Sequence, residues 1–324
     1  MHKIKPRHTL TALALGGLLC LNPAWAQQET TQPLSQNPKV QESLTREAGK
    51  KADEKRQEII QEAVSALQET FAALKALEDG DQKKALEALA RATGKLELVV
   101  AREPTLALAP VDVAMTTFDV IATADDILNA RKEVIRLLEA GNLPAARELL
   151  NSLRSEVVVT VTAIPLATYP DAIKAVTPLI DEGKTEQAKQ ALQAALATLV
   201  VTRHIIPLPL LRADEALVIA EVLAEKKDRS DKENQALENT LRLVEEQLRL
   251  SEALGYGTHA DYALLQKQLN EIRDKVSGGK SGTGFFDKIR GSLEKLKADI
   301  FGPPAQPPTE DKTTAEDDPD ASGK

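Results

Sequence analysis

Apolar residues recur every three or four positions along much of the chain, a spacing that gathers them on one side of a helix. Ile60, Val64, Leu67, Phe71, Leu74 and Leu77 form the first such stripe, and the charged stretch Glu47 to Glu58 is expected to extend this helix into solvent. Gly80 ends it, because glycine tolerates the left-handed backbone found at helix C-termini. Leu211 to Leu223 reads as another helix, with Ala216, Ile219, Ala220 and Leu223 inward. Asp231 to Leu254 is a longer one, carrying Leu237, Leu241, Val244, Leu248 and Leu254, and Gly255-Tyr256-Gly257 breaks it. Tyr262, Leu265, Leu269, Ile272 and Val276 make a shorter helix. A Gly/Ser linker comes next over 277–284, then a last amphipathic stripe of Phe285, Phe286, Ile289, Leu293, Leu296, Ile300 and Phe301.

Between the first helix and Leu211 the pattern repeats. LEDGDQKKALEAL from Leu77, LEAGNLPAARELL from Leu138 and IDEGKTEQAKQAL from Ile180 place an apolar residue, Gly, Ala and Leu at the same offsets. The glycines are Gly80, Gly141 and Gly183, the alanines Ala85, Ala146 and Ala188, and the leucines Leu89, Leu150 and Leu192. Gly closes one helix and the small Ala lets the next approach it, so each copy reads as a helix–turn–helix. Asp81 and Asn142 are placed to cap the second helix in two copies, and Pro144 suits a first helical turn. Each copy runs on to a Val-rich stretch and then a proline, Pro104, Pro165 or Pro207. The Val runs continue a helical Leu/Ala pattern and are expected to be helix ends, although β-branching also allows short strands. The glycines are 61 and 42 residues apart, so a regular solenoid is not expected. The extra sequence in the first gap, Met115 to Lys132, includes Phe118, Val120, Ile121, Ile127 and Leu128.

Composition favours the same fold class. Hydrophobic residues are 42% of the chain and aromatics only 3%, so the core must be built from Leu, Ala, Val and Ile. That disfavours an all-β protein and suits helices. The expected fold is all-α, a compact bundle of repeated helical hairpins with Pro-terminated loops.

The N-terminus carries a different signal. Lys3, Lys5 and Arg7 precede an apolar stretch from Leu10 to Leu21, and Ala24-Trp25-Ala26 offers a small-x-small cleavage site. Residues 1–26 are therefore expected to be a secretory signal peptide cut between Ala26 and Gln27. The apolar stretch is short for a membrane span, and Leu19 before Cys20 does not fit a lipobox. Cleavage removes three basic residues and takes the formal charge from −8 to −11. It also removes the single Cys and single Trp, so no disulfide can form in the mature chain. The acidic balance, with no extended basic run, argues against nucleic acid. No other window has the length and apolarity of a membrane span, and the expected compartment is the periplasm. Residues 27–39 read as a flexible lead-in and 40–276 as the helical domain. Residues 302–324 read as a disordered acidic tail with five prolines and six acids.

The Gly–Ala–Leu hairpins, together with TLVVTRHIIPLPLLRADEAL and SEALGYGTHADYALL, resemble the YfdX family from about Gln57 to Val276. The resemblance implies an all-helical domain exported to the periplasm of Gram-negative bacteria, in a family linked to acid and heat stress loci. It implies a setting and no particular reaction.

Candidate chemistry is sparse. GGKSGTG over 278–284 is superficially like a phosphate loop, but Asp274 stands where the first Gly is needed, so it reads as a linker. No nucleophile elbow or other catalytic constellation occurs, and the chain is not expected to be an enzyme. Carboxylate pairs such as Asp125-Asp126 and Glu245-Glu246 are sequence neighbours, which point apart on a helix. His259 and Asp261 offer two possible metal ligands, too few for a site, so no metal and no cofactor are expected. His204 reads as a partly buried loop histidine with proton sensing or ligand contact as the alternative. Tyr169, Tyr256 and Tyr262 sit near turns, as packing residues with wet hydroxyls or as the lining of a ligand cleft. Phe285, Phe286, Ile289, Leu293 and Phe301 could dock on the domain or on another copy, bind a client, or lie on a membrane surface. Two functions remain open on these residues: chaperone-like protection of unfolding client proteins, and a small-ligand module using a cleft between the Pro-loops. Exposed helix faces make a homo-oligomer the expected state.

Overall fold

The computed structural model describes residues 38–302. The expected signal peptide with its Ala26–Gln27 junction, the lead-in up to residue 37 and the acidic tail beyond Gly302 lie outside the described residues. The chain is mostly helical, as read, but it is not all-α. Three strands, β1 (Leu108–Phe118), β2 (Glu156–Pro165) and β3 (Val200–Pro207), form an antiparallel sheet in the order β1-β2-β3. Val113 faces Val161 across one ladder, and Val159 faces His204 across the other.

The strands have a local cause. The helix before the second Val run ends at Ser152 and the one before the third at Ala197, so Val157–Val159 and Val200–Val201 begin new elements. Consecutive β-branched residues prefer the pleated surface. Val99 and Val100 instead stay inside a 21-residue helix that runs to Arg102. Pro165 and Pro207 end strands rather than helices, at positions where a ladder no longer needs an N–H donor.

The helices around the three signature glycines are α2 (Gln61–Glu78) and α3 (Gln82–Arg102), α4 (Ala124–Glu139) and α5 (Leu143–Ser152), and α7 (Thr177–Asp181) and α8 (Thr185–Ala197). Gly80, Gly141 and Gly183 all take positive φ, from 71° to 77°, which a side chain would disfavour. The pairs differ in length, and strands separate them, so they do not build a bundle of equal units. The charged segment before α2 is a helix of its own, α1 (Pro38–Gln57), whose Ala48 and Ala52 pack on Val157, Val159 and Ile206 of the sheet. Between β2 and α7 lies the short α6 (Tyr169–Lys174).

Two larger cores result. The first joins α2, α3, α6, α7 and α8 to one end of the sheet, and alanines (Ala63, Ala66, Ala73, Ala85, Ala92, Ala188) dominate it. The second is built from α9 (Leu208–Glu225), α10 (Asp231–Leu254), α11 (His259–Val276) and α12 (Asp287–Phe301), with Leu217, Leu241, Leu265, Phe286 and Leu293 at its centre. No helix among the described residues is long and apolar enough to cross a membrane.

Candidate functional site

The last helix decides what surface the molecule offers. Phe286, just before α12, and Ile289, Leu293 and Leu296 on it are buried among side chains of α9, α10 and α11. The apolar stripe therefore docks on its own domain, and the face that a client would need is covered. The approach is close enough that a Cβ on Gly257 would fall 2.7 Å from Leu296 Cδ1. Phe285 is only partly buried, with Lys275 Nζ 5.3 Å above its ring. The preceding Gly/Ser segment is tied down rather than free. Arg229 donates to the Lys280 carbonyl at 2.7 Å and to the Ala224 carbonyl at 2.9 Å, and Gly282 N–H reaches Ala224 O.

Charge holds the polar edge of the same helix. Lys297 Nζ lies 2.6 Å from Glu294, 2.7 Å from Asp214 of α9 and 3.3 Å from Glu47 of α1. Burial by itself disfavours the Lys297 charge, but hydrogen bonds to Asp214 and Glu294 more than offset this, and its pKa stands above the ordinary lysine value. Arg290 pairs with Glu221 of α9 at 2.9 Å, and Gln268 of α11 donates to Ser292 Oγ at 3.0 Å. At the end of α12, the Phe301 carbonyl sits 2.8 Å from His204 Nδ1. A carbonyl only accepts, so that nitrogen carries a proton. The His204 and Phe301 rings lie 5.0 Å apart, and Lys51 Nζ sits 5.6 Å above Phe301. A groove of about 200 Å³ opens here, lined by Lys51, Ile205, Pro207, Leu211, Lys297 and Phe301. His204 is thus a strand residue of β3 and not a loop histidine.

A second polar cluster lies where β2 begins, at Glu156 opposite Pro207. Tyr256 donates to Glu156 Oε2 at 2.8 Å and accepts from the Ser155 N–H at 3.1 Å. Ser155 Oγ donates to Asp119 at 2.7 Å, and buried Arg212 donates to the other Asp119 oxygen at 2.5 Å. Burial, then the Glu156 carboxylate, raises the Tyr256 hydroxyl above its ordinary range, so it stays protonated and acts as a cross-link. Tyr262 is buried as well, bonded to Ser251 Oγ at 2.8 Å and to the Tyr256 carbonyl, and burial raises its pKa. Tyr169 lies fully inside the first core; its hydroxyl approaches Thr70 without completing a hydrogen bond, and burial raises its pKa too. Tyr169 and Tyr262 are buried and Tyr256 is half-buried, each more enclosed than a packing residue with its hydroxyl in water.

The sequence-derived cleft does not form. Pro207 pairs with Glu156 at the start of β2, whereas Pro165 ends that strand opposite Leu108. Ten extended residues separate them, about 30 Å of strand. Tyr169 lies just past the far end, Tyr256 holds the near end and His204 lies between them. His259 is exposed, with Nδ1 2.6 Å from Glu252, while Asp261 turns back to Thr258 to close the N-terminal capping box of α11. Hydrogen bonds from Thr258 hold the Asp261 carboxyl below its usual range. No group of three or more His, Cys, Asp or Glu among the described residues is placed to hold a metal.

Two members of these clusters left a trace in the sequence. Lys297 continues the row Ile289–Leu293 at helical spacing, a charge on an apolar stripe, and Arg212 interrupts the apolar run LPLLRADEAL. Glu47, Asp214, Asp119, Ser155 and Glu156 left none, because their partners are brought from distant segments.

Comparison with the curated proteins gives no match. Among solved structures the chain is similar to Salmonella Typhi YfdX, at 20% identity and a TM-score of 0.32, over 46% of this chain and 93% of that one. The family model described as YfdX protein matches residues 66–205, from within α2 to within β3. SEALGYGTHADYALL and α12 lie beyond that span. Over residues 66–205, a little under half of its length, this chain is similar to the YfdX family.

Proposed function

We propose that the chain is a non-enzymatic periplasmic stress-response protein, active under acid or heat, that protects unfolding client proteins in a chaperone-like way. The observation that carries this reading is the seam of α12: an apolar face held shut at its edge by carboxylates gathered on one lysine. Ion pairs between carboxylates and basic groups weaken in strong acid, and such pairs close this seam: Asp214, Glu47 and Glu294 on Lys297, and Glu221 on Arg290. Lys297, with its raised pKa, keeps its charge through the whole acid range; its own contribution fades only on the alkaline side. The seam therefore weakens as pH falls, and the released stripe and the face beneath it offer apolar surface to clients. The stress setting implied by the family agrees with this.

The test combines a dye for exposed apolar surface, far-UV circular dichroism and an aggregation assay on an acid-labile client, taken down to pH ~3. Rising dye signal with retained helix and suppressed aggregation is expected. The doubly neutralised variant Asp214→Asn/Glu47→Gln should reach the same state nearer neutral pH. Dye binding that appears only as helix is lost, with no protection of the client, contradicts the proposal.

A second reading, a small-ligand module, is favoured by the groove beside Phe301 and not by the Pro-loops. A thermal-shift screen against small amphipathic acids separates it from the first: a saturable shift lost in Leu211→Glu would favour it.

A further inference from the structure

The three signature hairpins share a sequence pattern but not an environment. Ala85, Ala146 and Ala188 are all buried. In the first and third copies the flanking apolar positions are buried too, with Leu77 at 1% exposure, Leu89 at 2%, Ile180 at 1% and Leu192 at 0%. The middle copy leaves Leu138 45% and Leu150 48% exposed. Leu128 and Ile135, seven apart and so on one face of α4, are exposed as well, as is Leu143, seven before Leu150 on α5. The other face of α4 is already used: Ile127 and Val134 are buried, Ile127 packs with Leu250 and Ala253, and Arg131 donates to the Ala253 carbonyl at 3.0 Å. This hairpin is apolar on two sides, and its own domain covers one of them.

We propose that the outer face of α4–α5 is an interface with a second copy of this chain, related by a two-fold axis near Ile135. Charge selects that occupant. Asp125, Asp126, Glu133, Glu139 and Glu148 stand against Arg131, Lys132, Arg136 and Arg147, so the hairpin is nearly neutral in a chain of net charge −8. Two acidic molecules can meet there with little repulsion, whereas an anionic membrane finds no basic face to attract it. Lys132 and Glu139 lie seven residues apart on one flank of the Leu128–Ile135 stripe. Neither has an ion-pair partner among the described residues. When two copies of α4 run antiparallel about Ile135, Lys132, three residues before the axis, meets Glu139 of the other copy, four residues after it. The pair forms twice, as a self-complementary interface requires.

Sedimentation velocity on the purified chain tests this. A dimer is expected at about 50 μM, a concentration at which a weak specific interface is populated. Ile135→Asp should give a monomer with an unchanged circular dichroism spectrum. Lys132→Glu should weaken association about tenfold, as two attractive pairs become repulsive. The exchange Lys132→Glu/Glu139→Lys should restore it. A wild-type monomer, a dimer indifferent to both Ile135→Asp and Lys132→Glu, or a Lys132→Glu defect that the exchange does not repair each overturns the proposal. So does a monomer that binds anionic vesicles through this hairpin. Lys132→Glu changes an exposed charge, so it remains informative if Ile135→Asp fails to fold.

Discussion

The first and middle hairpins show how one sequence signature can serve two ends. In α2–α3 the shared Ala and Leu positions work inside one core, with Leu77 and Leu89 buried and the alanines letting the helices approach closely. In α4–α5 the same Ala is buried, but the leucines face out. Neighbouring elements make the difference. The chain after α3 turns into β1, which lays its Ala109 and Val111 on the same core, while α6, α7 and α8 close over the other side. The middle hairpin is an excursion between β1 and β2. Its roots are pinned by the Ser155–Asp119 bond, with Arg212 and Tyr256 around it, and its side is held only by a small cluster on α10. Helical periodicity reports that a residue is apolar on one face; tertiary neighbours decide whether that face is covered.

The largest expected contrast breaks the equivalence of the signature leucines. Leu89→Ala or Leu192→Ala should each lower unfolding free energy by about 2–5 kcal/mol, through lost burial and a cavity. Leu150→Ala should change it by less than about 0.5 kcal/mol in dilute protein. Urea unfolding at matched low concentration gives all three values. Equal losses at Leu89 and Leu150 would mean that the middle hairpin is cored like the first. A smaller effect sharpens the role of the roots: Tyr256→Phe leaves Glu156 buried without its donor and the Ser155 N–H without its acceptor. The expected cost is about 1–3 kcal/mol by the same measurement. Local opening should concentrate in α4–α5, seen as faster amide exchange there than in α2–α3.

The smallest effect is acid fraying of the α4 N-terminus. Thr123 and Asp126 close a capping box, and hydrogen bonds from the Thr123 hydroxyl and backbone hold the Asp126 carboxyl below its usual value. A depressed carboxyl adds stability above its unfolded pKa and loses it as pH falls through the folded one, so exchange in the first turn of α4 should speed up below pH ~4. In Asp126→Asn that acid limb should flatten. Asp81, which caps α3, is depressed in the same way, by hydrogen bonds and charge from Lys84. Its hairpin buries both signature apolar residues, Leu77 and Leu89, and should fray less.

Much of this architecture is legible in the residues. The Gly positions take positive φ, the Ala positions are buried in every copy, and the long α10 begins and ends where Asp231 and Leu254 place it. The sheet was hidden for a physical reason. Val157–Val159 and Val200–Val201 stand directly behind helical Leu/Ala patterns, and periodicity over so few residues cannot separate a helix end from a strand start. Leu108–Phe118 was hidden too, because only its first half alternates burial cleanly. The candidate site was half legible. The α12 stripe and Tyr256 stand out in the sequence, but the carboxylates they meet come from up to 250 residues away. Nothing local marks Glu47 as the partner of Lys297 or Asp119 as the partner of Arg212.

The central claim is that the middle hairpin turns its leucines outward because a second copy covers them, and a single engineered thiol tests it most directly. Cys20 is the only cysteine in the chain, so a Cys20→Ser background allows one reporter thiol at a time. At a two-fold axis a residue meets its own copy, within the Cα spacing of roughly 4.4–6.8 Å that a disulfide needs. Ile135→Cys should oxidise rapidly to a covalent dimer, while Leu98→Cys and Val222→Cys, on exposed faces elsewhere, should stay monomeric under the same mild oxidant. Cross-linking at Ile135 no faster than at Leu98 or Val222 would contradict the account.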